Sequence, residues 1–321
     1  MSILYLVVPC YNEEAVIDET SKRLLEKLLS MQEKNLVSKD SRILFVDDGS
    51  KDKTWQKLNS LAREYKEIES IKLAHNKGHQ NAVLAGLMTA KKYCDCAISL
   101  DADLQDDIEV LDQFIEKFHE GNQVVYGVRN NRKKDSFFKK TTAQAFYKIM
   151  SMLGTEIIYN HADYRLMSKT ALNALEEYTE TNLFLRGIVP SIGFKSDCVY
   201  YERQERFAGE SKYPLKKMIN FAFDGISSFS VKPLKMISSF GIIISMLSVI
   251  ALAYVFVSYF FGFTVNGWTA TVASIWLLGG IQLLCLGVVG TYIGKIYSEV
   301  KRRPRYQIET YLKNGENNND L

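Results

Sequence analysis

Over the first 130 residues, short apolar runs alternate with longer stretches in which apolar positions recur every three or four residues. The runs 3–8 (ILYLVV), 43–46 (ILFV), about 69–73, 97–100 (AISL) and 123–127 (QVVYG) are short and rich in β-branched residues, and they predict strands. The stretches at about 13–30, 52–66, 79–92 and 107–120 carry the helical period. This alternation predicts an α/β domain whose mainly parallel sheet is covered by helices on both faces. In such sheets ligands bind beyond the carboxyl ends of the strands, so the residues just after each strand should carry the chemistry.

The pattern changes after residue 211. In "YPLKKMINFAFDGISSFSVKP", Leu215, Met218, Ile219, Ala222, Phe223 and Ile226 recur at helical spacing beside Lys216 and Lys217, as in a helix lying in a membrane interface. Residues 236–294 contain no Asp, Glu, Lys, Arg or His and divide at "GFTVNGWT" into two apolar stretches, about 236–261 and 269–294. Each is about 25 residues, enough at roughly 1.5 Å per residue to cross a hydrocarbon core of about 30 Å. A charge-free pair this long argues against two core helices of a soluble domain. Lys232 and Lys235 precede the first stretch and "KIYSEVKRRPRY" comes after the second, which predicts that both termini are cytoplasmic. The expected order is a folded domain at 1–211, an interface helix at 212–232, a two-helix membrane domain at 233–297 and a basic cytoplasmic tail at 298–321.

Composition sharpens this picture in two respects. Lys and Arg total 40 against 37 Asp and Glu in 321 residues, a net charge of +3, which lacks the concentrated basic character of a nucleic-acid-binding protein. The five cysteines are scattered and form no CxxC pair, as expected of reduced thiols facing a cytosol. The start "MSILYLVVPCYNEE" has no basic n-region and no small-residue cleavage site, so its apolar run is a strand and not a signal peptide.

The residues after the strands are chemically distinctive. They read "PCYNEE", "DDGSKDKT", "DADLQDD" and "GVRNNRKK" after the first, second, fourth and fifth strands. One acidic turn is commonly a helix N-terminus with its capping groups, but acids repeated at one edge of one sheet need another reason. Asp101 and Asp103 flank one residue and can face a common ligand. Paired hard oxygens beside a nucleoside diphosphate suit Mg²⁺ or Mn²⁺, with Gln105 able to add a carbonyl oxygen. Lys77 lies just before a helix start, where free N–H groups favour an anion. His75 and His79 are four apart, but Gly78 interrupts the helix and no third zinc ligand is near, so no zinc site is expected; His119 and His161 are assigned no chemistry.

Together, "VVPCYNEE", "VDDGSKDKT", "HNKGHQNAVLAG", "SLDADLQDD", "ADYRLMS", "RFAGESKYPLKKM" and two C-terminal spans resemble the polyprenyl-phosphate glycosyltransferases. These are inverting, family 2 enzymes of the GT-A fold, similar to dolichol-phosphate mannose synthase and bactoprenol-phosphate glucosyltransferases. The resemblance runs from about residue 3 to residue 306. It implies a Rossmann-like GT-A catalytic domain, an interfacial amphipathic helix and two transmembrane helices. It further implies that Pro9, Tyr11, Glu13 and Asp48 line the nucleotide pocket, with Asp47 in support and Lys77 nearby. Asp101 and Asp103, helped by Gln105, would hold Mg²⁺ or Mn²⁺ and the diphosphate. Asp163 and Arg165 match a segment that lies under the sugar and metal. A buried ion pair that merely holds a loop is the alternative for those two.

An acceptor phosphate monoester has a second pKa of about 6, so at neutral pH it is already mostly a dianion and needs no base. Positioning of sugar or metal is therefore ranked above base catalysis for Asp163. Two charges brought up to a diphosphate do need cations. Arg129, Arg132, Arg203, Arg206 and Lys212 are candidates for the lipid phosphate, with Ser211 as a hydrogen-bond donor and Arg129 expected to act at the reaction itself. The expected partners are a UDP-hexose, with UDP-glucose first, a polyprenyl phosphate, the bilayer and other copies of the chain, a tetramer by resemblance. A processive polysaccharide synthase is disfavoured because "RQERFAG" lacks the Trp of a QxxRW motif. A membrane module that only senses nucleotide sugars would not need the acids at the strand ends.

Overall fold

The computed structural model describes residues 1–130, 161–181, 183–202 and 267–317, together with scattered positions between 234 and 261. The chain divides into two compact units. The first is built on a nine-stranded sheet, and the second contains a long apolar helix.

In the first unit the strands are β1 (Leu4–Cys10), β2 (Arg42–Asp47), β3 (Ile68–Leu73), β4 (Cys96–Ser99), β5 (Val124–Arg129), β6 (His161–Ser168), β7 (Ser196–Tyr201), β8 (Ile308–Lys313) and β9 (Glu316–Asn317). Their order is β7-β5-β6-β4-β1-β2-β3-β8-β9. The expected parallel core is present: β3, β2, β1 and β4 pair in parallel. The sheet as a whole is mixed, which corrects the expectation of a mainly parallel one. β6 runs antiparallel to both β4 and β5, and β8 runs antiparallel to β3.

The helices are α1 (Ile17–Glu33), α2 (Thr54–Glu64), α3 (His79–Ala90), α4 (Leu111–His119), α5 (Lys169–Glu176) and α6 (Leu185–Ser191). α1 begins four residues later than expected because Asn12 adopts φ 55 and the Glu13 carbonyl closes a turn by accepting from Val16 and Ile17. Its buried stripe includes Leu24, Leu28 and Met31, each worth roughly 1.5–3 kcal/mol of apolar burial. α3 is buried over most of its faces and crosses the sheet at Gly86, where a Cβ would lie 2.3 Å from Val7 Cγ1. Only glycine allows that approach.

Two features of this order place the site. β1 lies between β2 and β4: the chain runs outward through β2 and β3 and then returns to place β4 on the other side of β1, so a topological switch point opens beyond the carboxyl ends of β1 and β4. β6, being antiparallel to β4, starts at that same edge: Arg165 pairs with Ser99, and Asp163 sits two residues nearer the crevice. The first residues of an antiparallel strand therefore meet the loops that leave the ends of its parallel neighbours.

Residues 308–313 were expected within a basic tail, but their alternation, Ile-Glu-Thr-Tyr-Leu-Lys, suits a strand. β8 covers the β3 edge, and its Tyr311 hydroxyl donates to the fully buried Glu69 at 2.6 Å, with Tyr5 donating to the same carboxylate at 3.3 Å.

In the second unit, α7 runs from Trp268 to Val300, longer at both ends than the expected second span. Its stretch Leu277–Val300 is long and apolar enough to cross a membrane, and it is the only such helix among the described residues. Leu277, Leu283, Leu286, Ile293 and Ile296 are all exposed on it. The interface helix expected at 212–232 and most of the first span at about 236–261 lie outside the described residues.

Candidate active site

The loops after β1 and β2 interlock with the segment before α3. Asp48, 3% exposed, accepts from the backbone N–H of Lys77 at 2.7 Å and of Gly78 at 2.8 Å. Burial raises its pKa, and those two bonds oppose the rise. Gly49, at φ +67, lies so close to this segment that a Cβ would stand 2.8 Å from the Asn76 nitrogen. Asp47 is fully buried beside Ser50, whose N–H lies 3.3 Å from Oδ1, and burial raises its pKa as well. Across the crevice, the N–H groups of Asn12 and Glu13 donate to the Ser50 and Thr54 hydroxyls, both at 2.9 Å. Pro9 lies near the end of β1, and Tyr11 is 41% exposed at the mouth. The residues expected around a nucleotide are thus brought together, although Lys77 contributes its backbone N–H to Asp48 and α3 begins only at His79.

The second cluster joins β4, β6, α3 and α6. Asp163, largely buried, is gripped by Arg186 through Nε at 3.1 Å and Nη2 at 3.0 Å, and by Arg165 at 2.7 Å. Burial alone would raise its pKa, but Arg186, His79 and Arg165 outweigh it and hold the carboxyl well below the usual range. Such a group is a weak base. Arg165 is itself 2% exposed and donates to the Leu185 carbonyl at 3.1 Å, while Gln80 accepts from the Leu185 N–H at 2.9 Å. His79 Nε2 lies 3.7 Å from Asp101 and 3.6 Å from Asp163. Burial would lower its pKa, yet the two carboxylates raise it overall. Asp101 is pushed up to about 6, chiefly by burial, with His79 opposing and the charges of Asp106, Asp163 and Asp103 adding to the rise.

The third cluster fixes the acidic loop. Leu104 at φ 55 reverses the chain, and the Gln105 N–H donates to Asp103 at 3.2 Å. Asp106 turns inward and is 5% exposed; Arg129 donates to it at 3.1 Å, and Tyr201 donates to the same oxygen. Arg129 also donates to the Tyr201 hydroxyl at 3.2 Å. Burial would lower the Arg129 pKa, but Tyr201 and Asp106 raise it. Two of its five N–H groups are committed to this cluster.

Among the described residues no group of three or more His, Cys, Asp or Glu side chains is arranged to hold a metal ion. The donor set at Asp101 and Asp103 nevertheless fits a hard divalent cation, which commonly takes one or two carboxylates and completes its shell with phosphate and water. Burial holds the Asp101 carboxyl at about 6, and the charges of Asp106, Asp163 and Asp103 add to the rise, so a cation here would offset both the desolvation and the repulsion.

Arg132, Arg203, Arg206, Ser211 and Lys212 lie outside the described residues. Arg186, His79, Asp106 and Tyr201 were not assigned site roles from sequence. Arg186 carries the one visible signal, a lone cation inside the apolar run "LFLRGIV".

The mixed sheet with its covering helices is a GT-A glycosyltransferase fold. Residues 5–176 match the profile of Glycosyl transferase family 2, and the chain belongs to that family. It is 54% identical over 312 residues to the uncharacterized glycosyltransferase YkoT of Bacillus subtilis (strain 168), covering 97% of this chain and 93% of the relative. It is 39% identical over 306 residues to the SfII prophage-derived bactoprenol glucosyl transferase of Shigella flexneri, covering 95% and 96%. Among solved structures, glucosyl-3-phosphoglycerate synthase from Mycobacterium tuberculosis, in complex with Mn²⁺, UDP and phosphoglyceric acid, matches at 14% identity and TM-score 0.43 over 70% of this chain and 76% of that one.

Proposed function

We propose that this glycosyltransferase moves one hexose, glucose from UDP-glucose in the first instance, to a polyprenyl phosphate at the cytoplasmic face of a membrane, with inversion at the anomeric carbon. The lipid-linked sugar would then serve modification of cell-envelope glycans. The observation that carries this reading is an acidic loop at the switch point combined with a relative named as a bactoprenol glucosyl transferase, aligned over 95% of this chain.

The crevice around Pro9, Tyr11, Glu13, Asp47 and Asp48 would take the nucleotide. Asp101 and Asp103, with Gln105, would hold Mg²⁺ or Mn²⁺, which when bound supplies positive charge to the leaving diphosphate. The acceptor arrives as a dianion, and Asp163, pinned by two guanidinium groups and well below the usual carboxylate range, is poorly suited to take a proton. Its place suits a fixed hydrogen-bond acceptor for the sugar. Positioning and charge compensation would then supply the catalysis. Arg129 retains N–H groups beyond those used by Asp106 and Tyr201, enough to grip an acceptor phosphate alongside Arg132, Arg203, Arg206, Ser211 and Lys212.

The membrane part of the reading has a topological support. β8 comes after α7 in the chain yet pairs with β3, so residues before and after the apolar region belong to one folded sheet. A chain that leaves and rejoins one domain crosses a bilayer an even number of times. Leu277–Val300 is long and apolar enough to supply one crossing, and the apolar stretch at about 236–261 would supply the second. Both termini would then be cytoplasmic, and self-association through these helices is part of the same proposal.

The test is product analysis with purified full-length protein, a short polyprenyl phosphate and a panel of labelled nucleotide sugars. One glucose per lipid phosphate, formed from UDP-glucose in preference to UDP-galactose or UDP-N-acetylglucosamine, supports the proposal. A polymer, or donor binding without lipid product, contradicts it.

A further inference from the structure

We propose that Asp106 and Tyr201 are positioning residues for the acidic loop: with Arg129 they form a buried brace that holds Asp101 and Asp103 in place for a divalent cation. The inference rests on the donor-site reading above and adds to it residues that touch neither donor nor acceptor.

The loop is pinned at three points. Thr20 on α1 donates to the Ala102 carbonyl at 2.7 Å, ahead of Asp103. Tyr164 on β6 donates to the Asp107 carbonyl at 3.1 Å, behind it. Between them the Asp106 carboxylate is tied to the last residues of β5 and β7, Arg129 and Tyr201. The Tyr201 ring meets Tyr164 edge-on with centroids 5.4 Å apart, so the two tyrosines that hold the loop also hold each other.

The brace is a poor source of stability. A buried ion pair roughly cancels its own desolvation cost, and an apolar replacement of the same shape often serves a fold as well or better. Here the balance is worse, because Asp106 Oδ2 is buried with no hydrogen-bond partner among the described residues, and an orphaned oxygen costs free energy. What the cluster provides is geometry: it ties strand ends on the far side of the sheet to the loop that carries Asp103. Side chains bonded directly to metal ligands typically cost about 10–100-fold in metal affinity when lost, and a brace that acts through the loop backbone is expected at the lower end of that range.

The experiment uses the full-length chain in detergent, as wild type, Asp106→Asn, Tyr201→Phe and the double variant. Both changes are nearly isosteric, and Tyr201→Phe keeps the ring contact with Tyr164. Mn²⁺ binding in the presence of UDP is read from the loss of the free-ion electron paramagnetic resonance signal, and UDP binding without metal is measured in parallel. The expected result is a Mn²⁺ midpoint raised about 10-fold in each single variant, no further rise in the double variant, and unchanged metal-free UDP binding. An unchanged Mn²⁺ midpoint in both single variants overturns the brace and leaves the donor site standing. Equal weakening of metal-free UDP binding also overturns it, because general disruption of the crevice would then explain the loss. A wild-type chain that takes up no Mn²⁺ with UDP present overturns the donor-site reading, and the brace with it.

Discussion

Tyr311 and Glu69 are 242 positions apart in the chain, yet the Tyr311 hydroxyl donates to the Glu69 carboxylate at 2.6 Å inside the first unit. Burial raises the Glu69 pKa, and the bonds from Tyr311 and Tyr5 oppose that rise. Tyr311→Phe should therefore destabilise the sheet unit by about 1–3 kcal/mol, the penalty for under-satisfying a buried acceptor. Thermal unfolding of the purified variant measures this, and an unchanged midpoint would show that the Tyr311–Glu69 bond adds nothing to the stability of the sheet.

Under the proposed topology the same pairing puts β8 and β9 on the side of the sheet unit. A cysteine placed at Asn314, in the turn between β8 and β9, should be protected from an impermeant thiol reagent in sealed right-side-out vesicles. One placed at Asn266, in the uncharged connection between the two apolar stretches, should be labelled. Labelling at 314 and protection at 266 would reverse the proposed orientation.

Arg165 is almost fully buried, and Asp163 is the carboxylate it meets. Asp163→Asn leaves that guanidinium uncompensated and should cost roughly 3–5 kcal/mol of stability along with activity. The pH sign is set by the depressed pKa. Asp163 contributes its stabilisation above the unfolded carboxyl value of about 3.9 and loses it only as pH falls through its still lower folded value. Between pH 5 and 8 it stays ionised, so Asp163 should leave no limb on a pH–rate profile over that range. An activity limb in this window that disappears in Asp163→Asn would restore it as a base.

Asp101 behaves in the opposite sense. With its pKa raised to about 6, it takes up a proton in the metal-free fold as pH falls through that value, and that proton competes with a cation. Mn²⁺ with UDP should therefore raise the unfolding temperature more at pH 7.5 than at pH 5.5. An equal shift at both values would separate Asp101 from cation binding.

The parallel core and the acids after β1, β2 and β4 were legible in sequence because they depend on local signals, apolar runs ended by turn residues. The antiparallel strands were not. "HADYRLMS" mixes charge with apolar residues because its Asp163 and Arg165 are buried as a pair, and burial of a pair leaves no hydrophobic signature. β8 leaves no local signal of its pairing because its partner strand lies more than 200 residues away. The site was legible as composition but not as connectivity. Asp106 looked like one acid among four and is instead the buried one, and Arg186 meets Asp163 only because α6 folds back beside β6.

The most direct measurement is transfer of labelled glucose from UDP-glucose to a short polyprenyl phosphate by wild type and Asp103→Asn, each titrated with Mn²⁺ after complete chelation. A single sugar on the lipid phosphate is expected from wild type only once metal is restored. The variant should lose at least about 100-fold at any metal concentration, the order expected for removing a directly engaged charge-stabilising group. Full transfer in chelator, or normal turnover by Asp103→Asn, would contradict a reaction organised around a cation at the acidic loop.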